Sequence, residues 1–246
     1  MSATQLFSDP QSATPQSATP QSATPLSATP RTRLGRQRDR ARIGRTALYE
    51  VLDAGMICHV GVIVDGAPAV LPTGYGRVGD TLYLHGSTGN RAMRGALAGE
   101  LCVTVTHLDG IVCARSIFHH SVNYRSAVVY GTPRAVDDPD EKLAALRAVS
   151  ERLAPGQWDV VRPPNRKELA ATLVLAVPLE EASVKVRKGP PGDEDEDYAL
   201  DVWAGVLPVH QVFGDPVSDP QLRPGIPVPD HIANRPAAHA AAEQPV

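Results

Sequence analysis

From Ile57 onward the chain alternates short apolar runs with two-residue turns, and that rhythm admits few folds. Ile57 to Val64 reads as a strand. Asp65-Gly66 follows, a pair that tolerates the positive φ angles of a tight hairpin turn. Ala67 to Tyr75 returns as the partner strand, and Pro68 and Pro72, which lack amide donors, place it at an edge or a bulge. Gly79-Asp80 turns the chain into Thr81 to His85. Leu101, Val103 and Val105 then alternate with Cys102, Thr104 and Thr106, the period of a half-buried strand. Asp109-Gly110 reads as a further turn into Ile111 to Ser116. Strands are expected at about Arg125 to Ala135 and, as one long run, at about Thr172 to Val186.

Helical spacing occurs only at the margins. Leu48, Val51 and Leu52 share a face that ends at Gly55, and Met93, Ala96 and Leu97 share another, with Gly99 beyond it. Asp138-Pro139-Asp140-Glu141 combines an N-cap Asp, Pro at the first helical position and Glu two residues later. Leu143, Leu146, Val149 and Leu153 would be the buried face of that helix. The expected fold is α+β and mainly β, an antiparallel barrel with short flanking helices.

The ends differ from this middle. Residues 1–30 repeat Ser-Ala-Thr-Pro, as at Ser12-Ala13-Thr14-Pro15, and hold almost nothing that burial would stabilise; a disordered tail is expected. The foldable unit is read as 31–212, and 213–246 as a Pro/Ala-rich tail. The unit opens on an arm with Arg31, Arg33, Arg36, Arg38, Arg40, Arg42 and Arg45 against a single Asp39. Such an arm suits nucleic acid, or is a solvated arm that packs on the domain or meets an anionic ligand. No aromatic residue interleaves the arginines and no base-reading module follows, so nucleic acid is not expected as a partner.

A formal net charge of −3 gives no general pull toward polyanions or membranes. No apolar run is long enough to span a bilayer, and the start, Ser2-Ala3-Thr4-Gln5, lacks the pattern of a secretory signal. A cytoplasmic protein is expected. Cys58, Cys102 and Cys113 form no C-x-x-C pair and read as reduced, buried thiols.

Two polar clusters stand out. In Tyr83-Leu84-His85-Gly86-Ser87-Thr88-Gly89-Asn90-Arg91, glycines let the backbone approach an anion, Ser87 and Thr88 offer hydroxyls, and Arg91 supplies a phosphate partner. Ala114 to Ser126 gathers Arg115, Ser116, Asn123, Tyr124 and Arg125, donors for a phosphate or ring edge with an aromatic to stack on. His59, His85, His107, His119 and His120 show no metal-ligand spacing, and no metal site is assigned. No Ser-His-Asp arrangement or nucleophile elbow occurs, so no catalytic residue is assigned. The acidic run Asp193 to Asp197 reads as a solvated loop.

Several stretches together carry a family resemblance: His59-Val60-Gly61, Leu82 to Ser87, Asp109-Gly110, and Arg115-Ser116 with His119 to Ser126. Pro155-Gly156 and Val202-Trp203-Ala204-Gly205-Val206 extend it. The pattern resembles the flavin-binding split β-barrels of the pyridoxamine 5'-phosphate oxidase superfamily, in the branch near the nitroimidazole-resistance (Nim) proteins. The resemblance implies a homodimer with FMN between protomers. It places the flavin phosphate at His85, Ser87, Thr88, Asn90 and Arg91, and the ring against Pro72, Thr73 and Tyr75. Arg115, Ser116, Asn123, Tyr124 and Arg125 approach from the neighbouring segment. Where a pyridoxamine-phosphate oxidase carries Arg-x-Val-Leu-Leu-Lys this chain has Leu71-Pro72-Thr73-Gly74-Tyr75, and the C-terminal arginine motif is missing. The implied activity is therefore flavin-dependent oxidoreduction of a small, electron-poor substrate rather than vitamin B6 oxidation. A non-catalytic flavin or haem module, or a reductase using the deazaflavin F420, remain alternatives.

Overall fold

The computed structural model describes residues 25–26 and 29–235; most of the N-terminal repeat and the last residues of the C-terminal tail lie outside them. In chain order the elements are β1 (Ala41–Arg42), α1 (Arg45–Ala54), β2 (Ile57–Val64), β3 (Ala67–Val78), β4 (Thr81–Ser87), α2 (Arg91–Ala96), β5 (Leu101–Cys113) and β6 (Ser121–Gly131). β7 (Arg134–Ala135), α3 (Pro139–Leu153), α4 (Arg166–Ala171), β8 (Thr172–Pro178), β9 (Glu181–Arg187), β10 (Gly205–Pro208) and α5 (Asp230–Ala233) follow. No helix among the described residues is long and apolar enough to cross a membrane.

The strands form one antiparallel sheet in the order β1-β9-β6-β5-β2-β3-β4-β8-β7, with β10 on the far half of β5. This corrects the expected split barrel. The path is open, and its two ends, β1 and β7, are two-residue strands that do not pair with each other. The sheet curls, but α1 packs inside the curl against β5, β6 and β9. It places Leu48, Val51 and Leu52 in the core with Val103, Leu82, Leu175 and Val184. Mixed α+β content, with more strand than helix, is as expected.

Local chemistry explains the elements. Asp65 (φ 53°) and Gly66 (φ 79°) both take positive φ, so the β2–β3 turn has the twist that suits a tight hairpin. Ala67 to Gly74 pairs with β2, and only Tyr75 to Val78 pairs with β4. Pro68 and Pro72 thus sit in the half of β3 with a single partner strand, where a missing N–H costs no ladder bond. Asp138 caps α3 by accepting from the Glu141 amide at 2.7 Å, as its sequence predicts. α3 buries Ala145 and Val149 and half-buries Leu143 and Leu146, while Leu153 stays partly exposed over Gly74. It lies so close to β3 that a Cβ on Gly76 would stand 2.6 Å from the Ala148 and Val149 backbone.

Two sequence expectations change. Asp109-Gly110 is not a turn: β5 runs on to Cys113 with a bulge between Leu108 and Gly110. β10, drawn from a hundred residues away, supplies the partner that keeps Gly110 to Cys113 extended. The long strand at 172–186 is two strands, divided at Leu179-Glu180, one on β4 and one on β6. The segment after Val212 returns to the domain. Arg235 donates to the carbonyls of Leu153 and Arg152 at the end of α3 and stacks 4.1 Å over Phe213.

Candidate functional site

The β4–α2 corner is the more accessible cluster. Along β4, Leu82 and Leu84 point into the main core, while His85 is half-buried and Ser87 exposed. The His85 Nδ1 is buried with no hydrogen-bond partner, and burial lowers the ring's pKa, which keeps it neutral. An unpaired buried polar atom costs about 1–3 kcal/mol, so this position favours a partner from outside the chain. Ser87 Oγ accepts from the Gly89 amide at 3.2 Å, and the Thr88 amide donates to Ala171 at 3.0 Å. Asn90 caps α2, its side chain accepting from the Ala92 and Met93 amides at 3.0 and 3.2 Å. Those amides are therefore engaged and do not face a ligand.

Arg91 is 72% exposed and pairs with the equally exposed Asp65 of the β2–β3 turn. Arg94 makes no ion pair among the described residues. A cleft of about 470 Å³ opens between this turn and α2, lined by Asp65, Gly66, Arg91, Arg94, Gly95 and Ala98.

The proposed ring-lining residues separate. Pro72 is exposed on the outer sheet face in register with His59. Thr73 turns the other way, half-buried, its hydroxyl on the Gly74 carbonyl at 3.3 Å. Tyr75 is a core residue: it has no exposed surface, and its hydroxyl donates to the Leu52 carbonyl at 2.5 Å. No face of Tyr75 is therefore exposed within the chain.

The second cluster is largely locked. The Arg115 amide and Nη1 both donate to Asp193, at 2.8 and 3.1 Å, and its guanidinium lies 4.6 Å over the Tyr198 ring. The Asp193 side chain is fully enclosed. Burial works against its charge, but hydrogen bonds from Arg115 outweigh this and hold its carboxyl below the usual range. Arg125 grips Asp109 with two parallel bonds at 2.9 and 2.8 Å. Asn123 is buried, donating to Gly189 at 3.1 Å and accepting from Arg187. Tyr124 is half-buried opposite Arg187. Only Arg115 Nε and Ser116 Oγ are buried without partners.

Among the described residues no hydrogen bond or ion pair joins the two clusters: Arg91 pairs with Asp65, and Arg115 and Arg125 with Asp193 and Asp109. Sequence reasoning missed Asp193, Tyr198 and Arg187, whose contacts bridge long separations with no local signal; Asp193, read as part of a solvated run, is the exception in it. Among the described residues no group of three His, Cys, Asp or Glu is placed to hold a metal ion.

A family model described as pyridoxamine 5'-phosphate oxidase matches residues 44–186, more than half of the chain. The chain belongs to the pyridoxamine 5'-phosphate oxidase family. Two solved structures extend this likeness past the family's body. The flavocytochrome Anf3 from Azotobacter vinelandii is 38% identical, with 85% of this chain and 98% of that one covered and a TM-score of 0.81. An FAD and heme binding protein from Mycobacterium smegmatis is 39% identical over 80% and 98%, with a TM-score of 0.77. A 5-nitroimidazole antibiotic resistance protein from Bacteroides thetaiotaomicron, at 21% identity and a TM-score of 0.51, shares the fold. No curated protein matches the chain.

Proposed function

We propose that this family member binds a flavin nucleotide together with haem and passes electrons to or from a small, electron-poor substrate. The observation that carries the reading is the 38% and 39% identity, across nearly the whole length of two proteins named as a flavocytochrome and as an FAD and heme binding protein. Those names favour FAD over the FMN that the motifs suggest, and flavin with haem over haem alone; nothing favours F420. The Nim-like placement rests on motifs only, and the two longer matches favour the flavocytochrome side. The absence of the C-terminal arginine motif speaks against oxidation of pyridoxamine phosphate.

The residues present fit such a ligand. The corner and the hairpin cluster together leave three buried atoms without partners, His85 Nδ1, Arg115 Nε and Ser116 Oγ. Arg91 and Arg94 face one cleft of about 470 Å³ with Asp65 as its only acid. A flavin, when bound, accepts and donates electrons singly or in pairs. Arg91, with Ser87 and Thr88, would hold its phosphate, Arg91 exchanging the Asp65 carboxylate for a doubly charged partner. Neutral His85 would orient the ligand by one hydrogen bond, and Pro72 would line it.

On this reading the second cluster's donors come from a second copy of the chain. The outer sheet face exposes Ile57, Ile63 and Val70 beside His59 and Pro72, an apolar patch that a partner surface could cover. A second copy seated there would bring its Arg115 and Ser116 toward the first copy's β4–α2 corner. The test is the absorbance of the purified protein and the mass of what it carries. A flavin spectrum with a haem Soret band is expected; colourless protein that binds neither added FAD nor haem contradicts the reading.

A further inference from the structure

We infer that the arginine arm is one half of a clasp between two copies, the other half being the acidic segment 194–201 of the second copy. The arm is held in place. β1 pairs with β9, and Arg31 engages both Glu100 and Glu181 while stacking 4.7 Å over Tyr130. The Leu26 amide donates to the Ile43 carbonyl at 2.7 Å. Yet Arg33, Arg36, Arg38 and Arg40 reach no carboxylate among the described residues, and Arg42 meets only backbone carbonyls, of Asp39 and Ala41. Arg187, beside the arm, meets only neutral oxygens: Asn123 Oδ1 and the Gly189 and Pro190 carbonyls. Its pKa is lowered first by burial and then by the charge of Arg40. Like charges are thus fixed together, with Asp39 the one acid among them.

The acidic segment is the complement. Asp195, Glu196, Asp197 and Asp201 have no cationic partner among the described residues, and Glu194 has only His119 at 3.3 Å. Between and beside them Tyr198, Leu200, Val202 and Trp203 are 49–70% exposed. Four unpaired guanidiniums and four unpaired carboxylates, with an apolar strip among the latter, lie on one chain but do not pair within it. A two-fold axis would form the contact twice, each arm on the other copy's acidic segment. A nucleic acid or an acidic carrier protein would meet the arm but leave the acidic and apolar strip uncovered.

The clasp rests on the two-copy assembly proposed above, and is tested on the full-length protein as purified. Sedimentation equilibrium would compare wild type with Arg36→Glu/Arg38→Glu/Arg40→Glu, with Asp195→Lys/Glu196→Lys/Asp197→Lys, and with both sets combined. Each set alone should raise the dimer dissociation constant about tenfold or more, and the combined chain should return to within about threefold of wild type. Raising the salt should weaken wild type and strengthen either single set, in which like charges face each other. Should a reversal set fail to fold, the matching Gln and Asn sets replace it, with a smaller loss expected in the same direction. A monomeric wild type, unchanged association in the single sets, or a combined chain weaker than either set overturns the clasp. The cofactor spectrum is read separately: a colourless dimer that shows the swap contradicts the flavin reading and supports the clasp. A coloured dimer indifferent to the swap does the reverse.

Discussion

The β4–α2 corner and the β5–β6 hairpin look alike as sequence, each offering arginines, a serine, an asparagine and an aromatic within about ten residues. In space they are opposites. Arg91 holds one exposed carboxylate across a cleft, a pair worth about 0–1 kcal/mol that a ligand can replace. Arg115 and Arg125 each hold a sequestered or half-buried carboxylate through two bonds, and Asn123 spends its amide on two backbone or side-chain partners. Polar density alone therefore does not mark a ligand site. What separates the two is whether the donors are already satisfied.

The largest effect is expected from freeing Arg115. Asp193→Ala leaves a partly buried guanidinium without its acid, and Tm is expected to fall by roughly 6 °C or more in a thermal melt. A fall no larger than that for Asp65→Ala would show that the hairpin cluster is not structural. Tyr75→Phe should cost about 1 kcal/mol in denaturant unfolding, since only the bond to Leu52 is lost, and should leave flavin content unchanged. Reduced flavin content would return Tyr75 to the site.

A smaller effect concerns pH. His85 and His107 both have pKa values lowered first by burial, from an ordinary value of 6.5. The unfolded chain then binds more protons than the folded one, so stability is full above about pH 6.5 and falls as the solution is acidified toward the lowered values. Unfolding midpoints should drop between about pH 7.5 and pH 5, and His85→Gln should flatten the slope. Bound ligand on His85 Nδ1 should alter that slope, which a melt with and without added FAD would reveal. A slope indifferent to both changes would remove His85 from the corner's chemistry.

How far the sequence carried these readings follows from the range of each interaction. Asp65-Gly66 and the Asp138 cap were legible because their causes lie within four residues. The strands β2 to β4 were legible as apolar runs between turn signals and the first half of β5 from alternation, while β6 starts at Ser121, four residues before the reading placed it. The open sheet was not, since its ends are set by pairings between distant segments, β1 with β9 and β7 with β8. Asp109-Gly110 has the composition of a turn, and only β10, arriving from Gly205, keeps it extended. Tyr75 sits among residues that the family resemblance assigns to the ring. The carbonyl that binds its hydroxyl, however, belongs to Leu52 on a helix 23 residues earlier. Asp193 and Arg115, 78 residues apart, had no signal linking them.

The most direct test of the contrast is Arg91→Ala, followed by both the thermal melt and the amount of flavin retained after gel filtration. With the exposed pair gone, stability should change by less than about 0.5 kcal/mol. Flavin affinity should weaken about tenfold or more, because a charge-assisted phosphate contact is lost. Full flavin retention at unchanged stability would contradict the account and leave the β4–α2 corner a helix cap with an exposed arginine.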